Sequence, residues 1–414
     1  MNTAVCVDVG STYTKAAQID LDGARLIRRA EVPTTSGSDV LRGLDAAVAA
    51  VGGGEHLYVC SSAGGGLRLA VVGYEALVTA EAGHRVGLSA GAQVVHVASG
   101  PLDAGGVRAL RAARPDVILL VGGTDGGDSS VLLHNASRLA NARLRLPIVL
   151  AGNADAQAAA RALLSEISVI SASNVLPRIG VLDPLPARAA IRDVFLRHVI
   201  GGKRLSRGRR FASLVSAATP DAVLAGVELL ADLTGTGVLV VDVGGATTDV
   251  YSALVPDAEI STGPRRDVAG TLWRSRTVEG DLGVAVGADG TRAAALAEKL
   301  PSPGDDQELA AAAAVIALRR HARGHSAGPG QPRTGGRDLR DIRLVVGSGG
   351  VLRHGGGERV LDAVLGDVVG GWAPPERAKA VIDDQYVLAA AGLLAVDHPQ
   401  VAGALLGDAI GMRA

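Results

Sequence analysis

With 414 residues, 48% hydrophobic and 20% charged, the chain can bury a large core, and its length favours two or more domains. A formal net charge of −1 and an aromatic content of 2% argue against a polyanion partner and against base-stacking platforms, so no nucleic acid is expected. The N-terminus MNTAVCVDVGS reaches a charge too early for a signal peptide, and Gly or charge breaks every apolar stretch short of the ~20 residues that span a bilayer, so a cytoplasmic protein without membrane contact is expected.

In chain order, VCVDVG, KAAQIDL and ARLIRRAEVPTT read as three strands of an antiparallel meander, with LDG as one turn. Residues 39–51 set Leu41, Leu44, Ala47, Val48 and Val51 on one helical face, and LYVCSS follows as a strand. From Val94 to Asn174 four strand candidates, VVHVAS, VILLVGG, PIVLAGN and ISVISASN, alternate with helical sequence, the spacing of successive βα units. Residues 186–200 and 220–233 read as helices, the second with Thr219 as N-cap and Pro220 in the first turn. The strand VLVVDVGG, the strand VYSALV, the helix ELAAAAAVIALRR, the strand IRLVVGSGG and a helix in DDQYVLAAAGLLAV complete the chain. Residues 321–340, dense in Gly, Pro, Ser and charge, read as a flexible loop.

Short β-branched runs alternating with helical stretches make the fold class α/β. Two strand ends carry chemistry. VCVDVGSTYTK and VVDVGGATTDV share one order: an apolar run, an Asp, glycine, then hydroxyls. Glycines leave amide N–H groups uncovered and hydroxyls add donors, which makes such a turn an anion cradle. Mg2+ dehydrates reluctantly and is usually held by one or two carboxylates, so Asp8 and Asp242 could hold it through water against a phosphate from opposite sides. Ordinary turn chemistry explains one such motif; two copies and a third glycine-ended strand, VVGSGG, point to a two-lobed phosphate clamp. Neither copy has the G-x-x-x-x-G-K-[ST] spacing, which excludes a Walker loop.

These strings resemble the phosphate loops of the actin-like ATPase superfamily, and VVGSGGVLR resembles its adenosine loop. The resemblance implies two ribonuclease H-like lobes with ATP and Mg2+ between them. It implies that Asp8 and Asp242 serve the metal, that Gly10, Ser11, Thr12, Lys15, Gly244, Gly245 and Thr247 cradle phosphates, and that Gly349 and Gly350 admit adenosine. Lys15 reads equally as a solvated strand lysine.

A narrower resemblance covers most of the chain. SSAGGGLRLAVVG, LVTAEAGHRVGLSAGAQVVHVASG, RPDVILLVGGTDGGD, NVLPRIGVLDPLPARAAI, RTVEGDLG and VVGSGGVLRH are similar to the glutamate mutase accessory proteins, the MutL/GlmL family. That resemblance implies an ATP-using chaperone or reactivating factor whose partners are subunits of an adenosylcobalamin-dependent mutase, glutamate mutase first; self-association stays open. The expected organisation is a first lobe over 1–91, an additional α/β segment over 92–185 and a second lobe over 186–414.

Glu81, in the first turn of a helix, is the candidate to orient attacking water, although the helix dipole alone also favours an acid there. Asp125 is a second candidate. Cys6 and Cys60 read as buried core residues, and the histidines lack metal-ligand spacing. Competing functions are an ATP-dependent amidohydrolase subunit of the hydantoinase/oxoprolinase kind and a nucleotide-gated binding module with negligible turnover.

Overall fold

The computed structural model describes residues 2–63, 67–76, 78–90, 92–200, 205–208, 210–255, 273–326, 333–334, 336–367 and 372–411. Strand β1 (Thr3–Val9) is buried along its whole length, as a strand covered on both faces must be. β2 (Tyr13–Asp20) and β3 (Arg25–Pro33) run antiparallel beside it, forming the expected meander. The helix Val40–Ala50 then crosses back; Asp39 caps it by accepting the Leu41 amide at 3.0 Å, and Val40, Leu44, Ala47 and the following Val51 are buried. It delivers β4 (His56–Ser61) parallel to β1.

The chain leaves this sheet and builds another before returning. β5 (Arg68–Gly73), β6 (Gln93–Ser99), β7 (Val117–Leu120), β8 (Ile148–Leu150) and β9 (Val169–Ser171) form an all-parallel sheet in the order β6-β5-β7-β8-β9. Only then does β10 (Val215–Ala218) pair in parallel with β4 and complete the first sheet. The additional α/β segment is therefore inserted in the crossover from β4 to β10. Its first strand, from RLAVVG, lies upstream of the four strand candidates in the sequence. Val5 and Val7 of β1 share one core cluster with Leu69, Val71 and Leu119 of the inserted sheet.

After the helix Thr219–Thr234 the topology repeats. β11 (Gly237–Val243), β12 (Thr248–Ala253) and β13 (Arg274–Glu279) form a second antiparallel meander. The helices Ala288–Ala297 and Asp306–Arg323 follow; in the latter Asp305 caps the Glu308 amide at 2.7 Å and basic residues fill the last turn, both favourable to the helix dipole. Of residues 321–340, the first three belong to that helix, and β14 (His325–Ser326) pairs with β15 (Arg333–Thr334). Residues 327–332 and 335 lie outside the described residues. β16 (Ile342–Ser348) and β17 (Lys379–Ile382) then add in parallel.

Two sheets thus share one plan: β3-β2-β1-β4-β10 matches β13-β12-β11-β16-β17 in order and in strand direction. This is the duplicated α/β lobe expected of the two-lobed fold. Each plan ends in a helix, Thr219–Thr234 after β10 and Leu388–Leu394 beyond β17, and the two helices pack on each other. Their Leu224, Val227, Leu230, Ala390 and Leu394 form one core with Cys6 and Cys60 of the first lobe and Val238 and Val240 of the second. Each fully buried Leu in that core is worth ~1.5–3 kcal/mol. The lobes are joined through this core.

Candidate functional site

The two strand-end motifs fold into the same turn. The Gly10 amide donates to the Tyr13 carbonyl at 3.0 Å, and the Gly244 amide to the Thr247 carbonyl at 2.9 Å. A Cβ on Gly10 would come within 2.7 Å of that carbonyl oxygen, and one on Gly244 within 3.0 Å of its own, so both turns close tightly because the side chains are absent. Ser11 and Thr12 are exposed at the first tip and Gly245 at the second. The second turn is braced from outside: Gly244 and Gly245 carbonyls accept the Val284, Ala285 and Gly287 amides at 3.2, 2.8 and 3.1 Å. Gly349 has φ of 109°, and a Cβ there would overlap the Val243 carbonyl, so the expected adenosine loop lies directly against the strand end that carries the second glycine turn. Gly350 meets nothing within 4 Å and starts a short helix, Gly350–Arg353.

Register makes the lobes equivalent and their charges different. Lys15 stands across from Asp8 on β2, whereas Asp249 stands across from Asp242 on β12. Asp249 is paired with Arg276 at 2.5 Å; burial raises its carboxyl and Arg276 opposes that rise. Among the described residues Asp242 has no such partner beside it. Burial lifts it from 3.8 to about 6, Lys15 opposes, and the charges of Asp249, Asp8 and Asp383 add to the rise. Asp242 thus feels charges from both lobes, Asp8 and Lys15 from the first and Asp249 and Asp383 from the second.

Asp8 is buried and held by three side chains. Thr219 Oγ1 donates to its Oδ1 at 2.5 Å, Cys60 Sγ lies 3.6 Å from the same oxygen, and Tyr386 Oη donates to Oδ2 at 3.4 Å. Thr219 is therefore not the expected N-cap. It is the first helical residue, with Ala218 in the cap position, because its hydroxyl is committed to Asp8.

A cavity of about 210 Å³ opens beside Asp8 and Lys15, between the face of β1, β2 and β3 and the residues around the helix Leu388–Leu394. Arg29, Glu31, Arg353, His354, Gln385 and Tyr386 add to its polar lining. Contacts across the lobes frame it: Arg353 Nη2 donates to Glu31 Oε2 at 3.4 Å, and Arg29 Nη1 donates to the Asp384 carbonyl. Lys15 Nζ sits 3.6 Å from the Tyr386 ring centroid and the Arg353 guanidinium 4.9 Å from it. Asp383, just past β17, is buried and fixes the start of the last-lobe helix by accepting the Val387 and Leu388 amides at 2.9 and 3.3 Å.

Glu81 does not line that cavity. It is buried in the first turn of the helix Thr79–Ser89, where Arg85 Nε donates to it at 2.7 Å and His84 approaches to 3.6 Å. Burial works against its charge, but His84 and Arg85 outweigh burial and hold the carboxyl below its usual range. Asp125 accepts the Ala154 amide at 2.9 Å and the Asn174 side chain at 2.8 Å, which tie the glycine loop after β7 to its neighbours. Glu279 and Asp281 both receive Arg320 at 2.7 Å. Cys6 and Cys60 are free and buried, and burial pushes both thiols up.

Sequence reasoning missed Thr219, Arg353, Asp383 and Tyr386. Only Asp249 had a signal, since it follows Asp242 at the distance at which Lys15 follows Asp8. Among the described residues no group of three or more His, Cys, Asp or Glu could hold a metal ion, and no helix is long and apolar enough to cross a membrane. A pair of acids with few protein ligands fits Mg2+ carried in on a phosphate, and does not fit an all-protein metal cage.

Solved structures with distant likeness include three proteins. Nucleotide-free acetone carboxylase, from work on ATP-dependent acetone carboxylation, matches 68% of this chain and 48% of its own at 16% identity and a TM-score of 0.33. This chain thus spans about half of that protein. Component A of (R)-2-hydroxyglutaryl-CoA dehydratase from Acidaminococcus fermentans matches 99% and 98% at 10% identity and a TM-score of 0.31. Xylulose kinase from Bifidobacterium adolescentis matches 99% and 94% at 12% identity and a TM-score of 0.32. Scores at this level carry no weight for function. Sequence similarity is closer: Protein MutL of Clostridium tetanomorphum is 33% identical over 455 residues, covering 97% of this chain and 98% of that one. The family model described as MutL protein matches residues 4–304 and 304–410, over the same paired lobes, turns and inserted sheet, and the chain belongs to that family.

Proposed function

We propose that this protein binds and hydrolyses ATP with Mg2+ in the interlobe cleft, and that it uses the cycle to assemble or reactivate an adenosylcobalamin-dependent mutase, with glutamate mutase as first choice. The observation that carries the ATP reading is the pair of matching glycine turns, each closing the end of a strand whose acid, Asp8 or Asp242, holds the same register in its lobe. Ser11, Thr12, Gly245 and Thr247 would donate to phosphate oxygens, Gly10 and Gly244 would keep the two turns closed beneath them, Lys15 would neutralise one of the oxygens, and Gly349 and Gly350 would lie along the adenosine. Mg2+, when bound with the phosphates, would neutralise charge on the transferred group and hold it in line. Asp8 and Asp242 would orient the metal's water shell, and Glu81 would act on the attacking water. Its ion pair with Arg85 leaves it a weak proton acceptor, so orienting water suits it better than deprotonating it.

The mutase partner is supported by membership of the MutL protein family and by the resemblance of the motifs to glutamate mutase accessory proteins. Two lobes joined through one core can close on a nucleotide, and a partner that prefers one closure state is then gripped or released. The test is recovery of inactivated glutamate mutase with free adenosylcobalamin, Mg-ATP and this protein. Asp8→Asn and Asp242→Asn should each lower hydrolysis on the order of 100-fold and abolish recovery. Recovery without ATP would replace the reactivase reading with passive assembly, and unchanged hydrolysis in both variants would remove the clamp.

A further inference from the structure

Arg353 is built as if to meet a ligand. Its side chain is only 9% exposed, it lines the cavity, and among the described residues its Nε has no hydrogen-bond partner. Its Nη2 contact to Glu31, at 3.4 Å, is long for a charge-assisted bond, which is normally 2.7–2.9 Å. A buried guanidinium with an orphan N–H is costly unless some other group completes it. Lys15 lines the same cavity from the first lobe. Its ammonium rests 3.6 Å from the Tyr386 ring centroid, so both cations lean on one aromatic ring.

Resting on the nucleotide reading above, we propose that Lys15 and Arg353 jointly take a phosphate group of the bound nucleotide, and that Tyr386 is the latch they release when it arrives. Tyr386 sits at φ of 58°, a left-handed conformation that a bulky residue adopts only when its surroundings impose it. Its ring touches the two cations and its hydroxyl donates to Asp8, so one displacement frees two positive groups and one acid together. Those are the groups that a magnesium-bound polyphosphate needs. Charges facing the same space are Asp8 and Glu31 against Lys15, Arg29 and Arg353, which leaves a positive excess, with His354 beside them. Glu31 competes with the ligand for Arg353 and keeps that guanidinium in place until the ligand arrives.

The test uses the full chain, with ATP, inorganic tripolyphosphate and phosphate-free adenosine as probes in titration calorimetry and stopped-flow mixing. Arg353→Gln should weaken ATP and tripolyphosphate about tenfold or more while leaving adenosine unchanged, and Arg353→Lys should recover part of the loss. Tyr386→Ala should speed ATP association about tenfold because no ring must leave, whereas Tyr386→Phe, which keeps the ring, should stay near the wild-type rate. Circular dichroism and thermal melts check that each variant is folded; should Tyr386→Ala fail to fold, the Arg353 pair decides alone. Wild-type polyphosphate affinity in Arg353→Gln, or an equal loss for adenosine, would overturn the proposal while leaving the nucleotide reading intact. A wild-type chain that binds neither ATP nor tripolyphosphate would overturn both.

Discussion

Gly226 and Gly392 meet where the two lobe-ending helices cross. A Cβ on Gly392 would stand 2.9 Å from the Gly226 amide nitrogen and overlap the Ala222 carbonyl oxygen, and one on Gly226 would overlap the Leu388 carbonyl oxygen. The obstructing atoms are backbone, so no rotamer change can relieve the overlap. Gly226→Ala and Gly392→Ala should each cost ~1–3 kcal/mol or more, read as a lowered midpoint in urea. Gly37→Ala, with nothing within 4 Å, is the control and should leave the midpoint alone. Equal midpoints for all three would mean that the helices slide apart at no cost, and that the crossing is not a fixed contact between lobes.

Asp242 should make the proposed nucleotide binding pH-dependent. Its folded pKa, raised from 3.8 to about 6, means that the folded protein holds a proton there that the unfolded chain has lost. The sign follows: this group favours the fold below 3.8, and that contribution is lost as pH rises through about 6. Asp242→Asn should therefore raise the melting temperature at pH 7. In the wild type, Mg-ATP affinity should climb between pH 5 and pH 7 as the carboxylate forms, and in Asp242→Asn that climb should flatten. A melting temperature lowered by Asp242→Asn would show that the carboxylate is instead satisfied in the folded chain.

His321 gives the opposite sign. It is fully buried between Ser252 and Thr277, bonded to each hydroxyl at 2.9 Å, and burial together with the Arg337 charge lowers it from 6.5 to about 3. The unfolded chain gains a proton there first on acidification, so stability from this group is complete above 6.5 and drains away as pH falls towards about 3. Urea midpoints measured across that interval should decline in the wild type and decline less in His321→Gln. Parallel curves would assign the acid sensitivity elsewhere.

Arg276 and Asp249 form a pair whose members are not independent. Arg276 is 6% exposed in its side chain and bonds Asp249 at 2.5 Å. Arg276→Leu leaves a carboxylate without its counter-charge beside Asp242 and should cost ~3–5 kcal/mol. Adding Asp249→Asn should return a large part of that cost, because the uncompensated charge is removed with its partner. A double variant as unstable as the sum of the singles would show that packing of the long side chain, and not charge, sets the penalty.

Much of the fold was legible in the chain because it depends on local pattern. The meander over VCVDVG to ARLIRRAEVPTT and the first two strands of its counterpart follow from β-branched runs ended by Asp and Gly, and the turns at Gly10 and Gly244 close as absent side chains permit, whereas the third strand, Arg274–Glu279, was not read from the chain. Parallel pairing was less legible. Neither RLAVVG nor Val215–Ala218 announces its sheet, since a strand chooses a neighbour by which apolar face meets which, not by its own sequence. Thr219 shows the same limit at one residue. Its position before Pro220 signals an N-cap, but a carboxylate brought from more than two hundred residues away claims its hydroxyl.

The sequence by itself determined the paired acids, the glycine turns and the α/β class, because spacing along a strand dictates which groups appear at its end. The tertiary structure alone decided what surrounds them. Lys15, Arg353 and Tyr386 come from three distant stretches, and only the packing of the two lobes about their crossing helices stacks two cations on one ring over Asp8. The rise of Asp242 has the same origin: desolvation and the summed field of Asp249, Asp8 and Asp383 exist only once the chain has enclosed them.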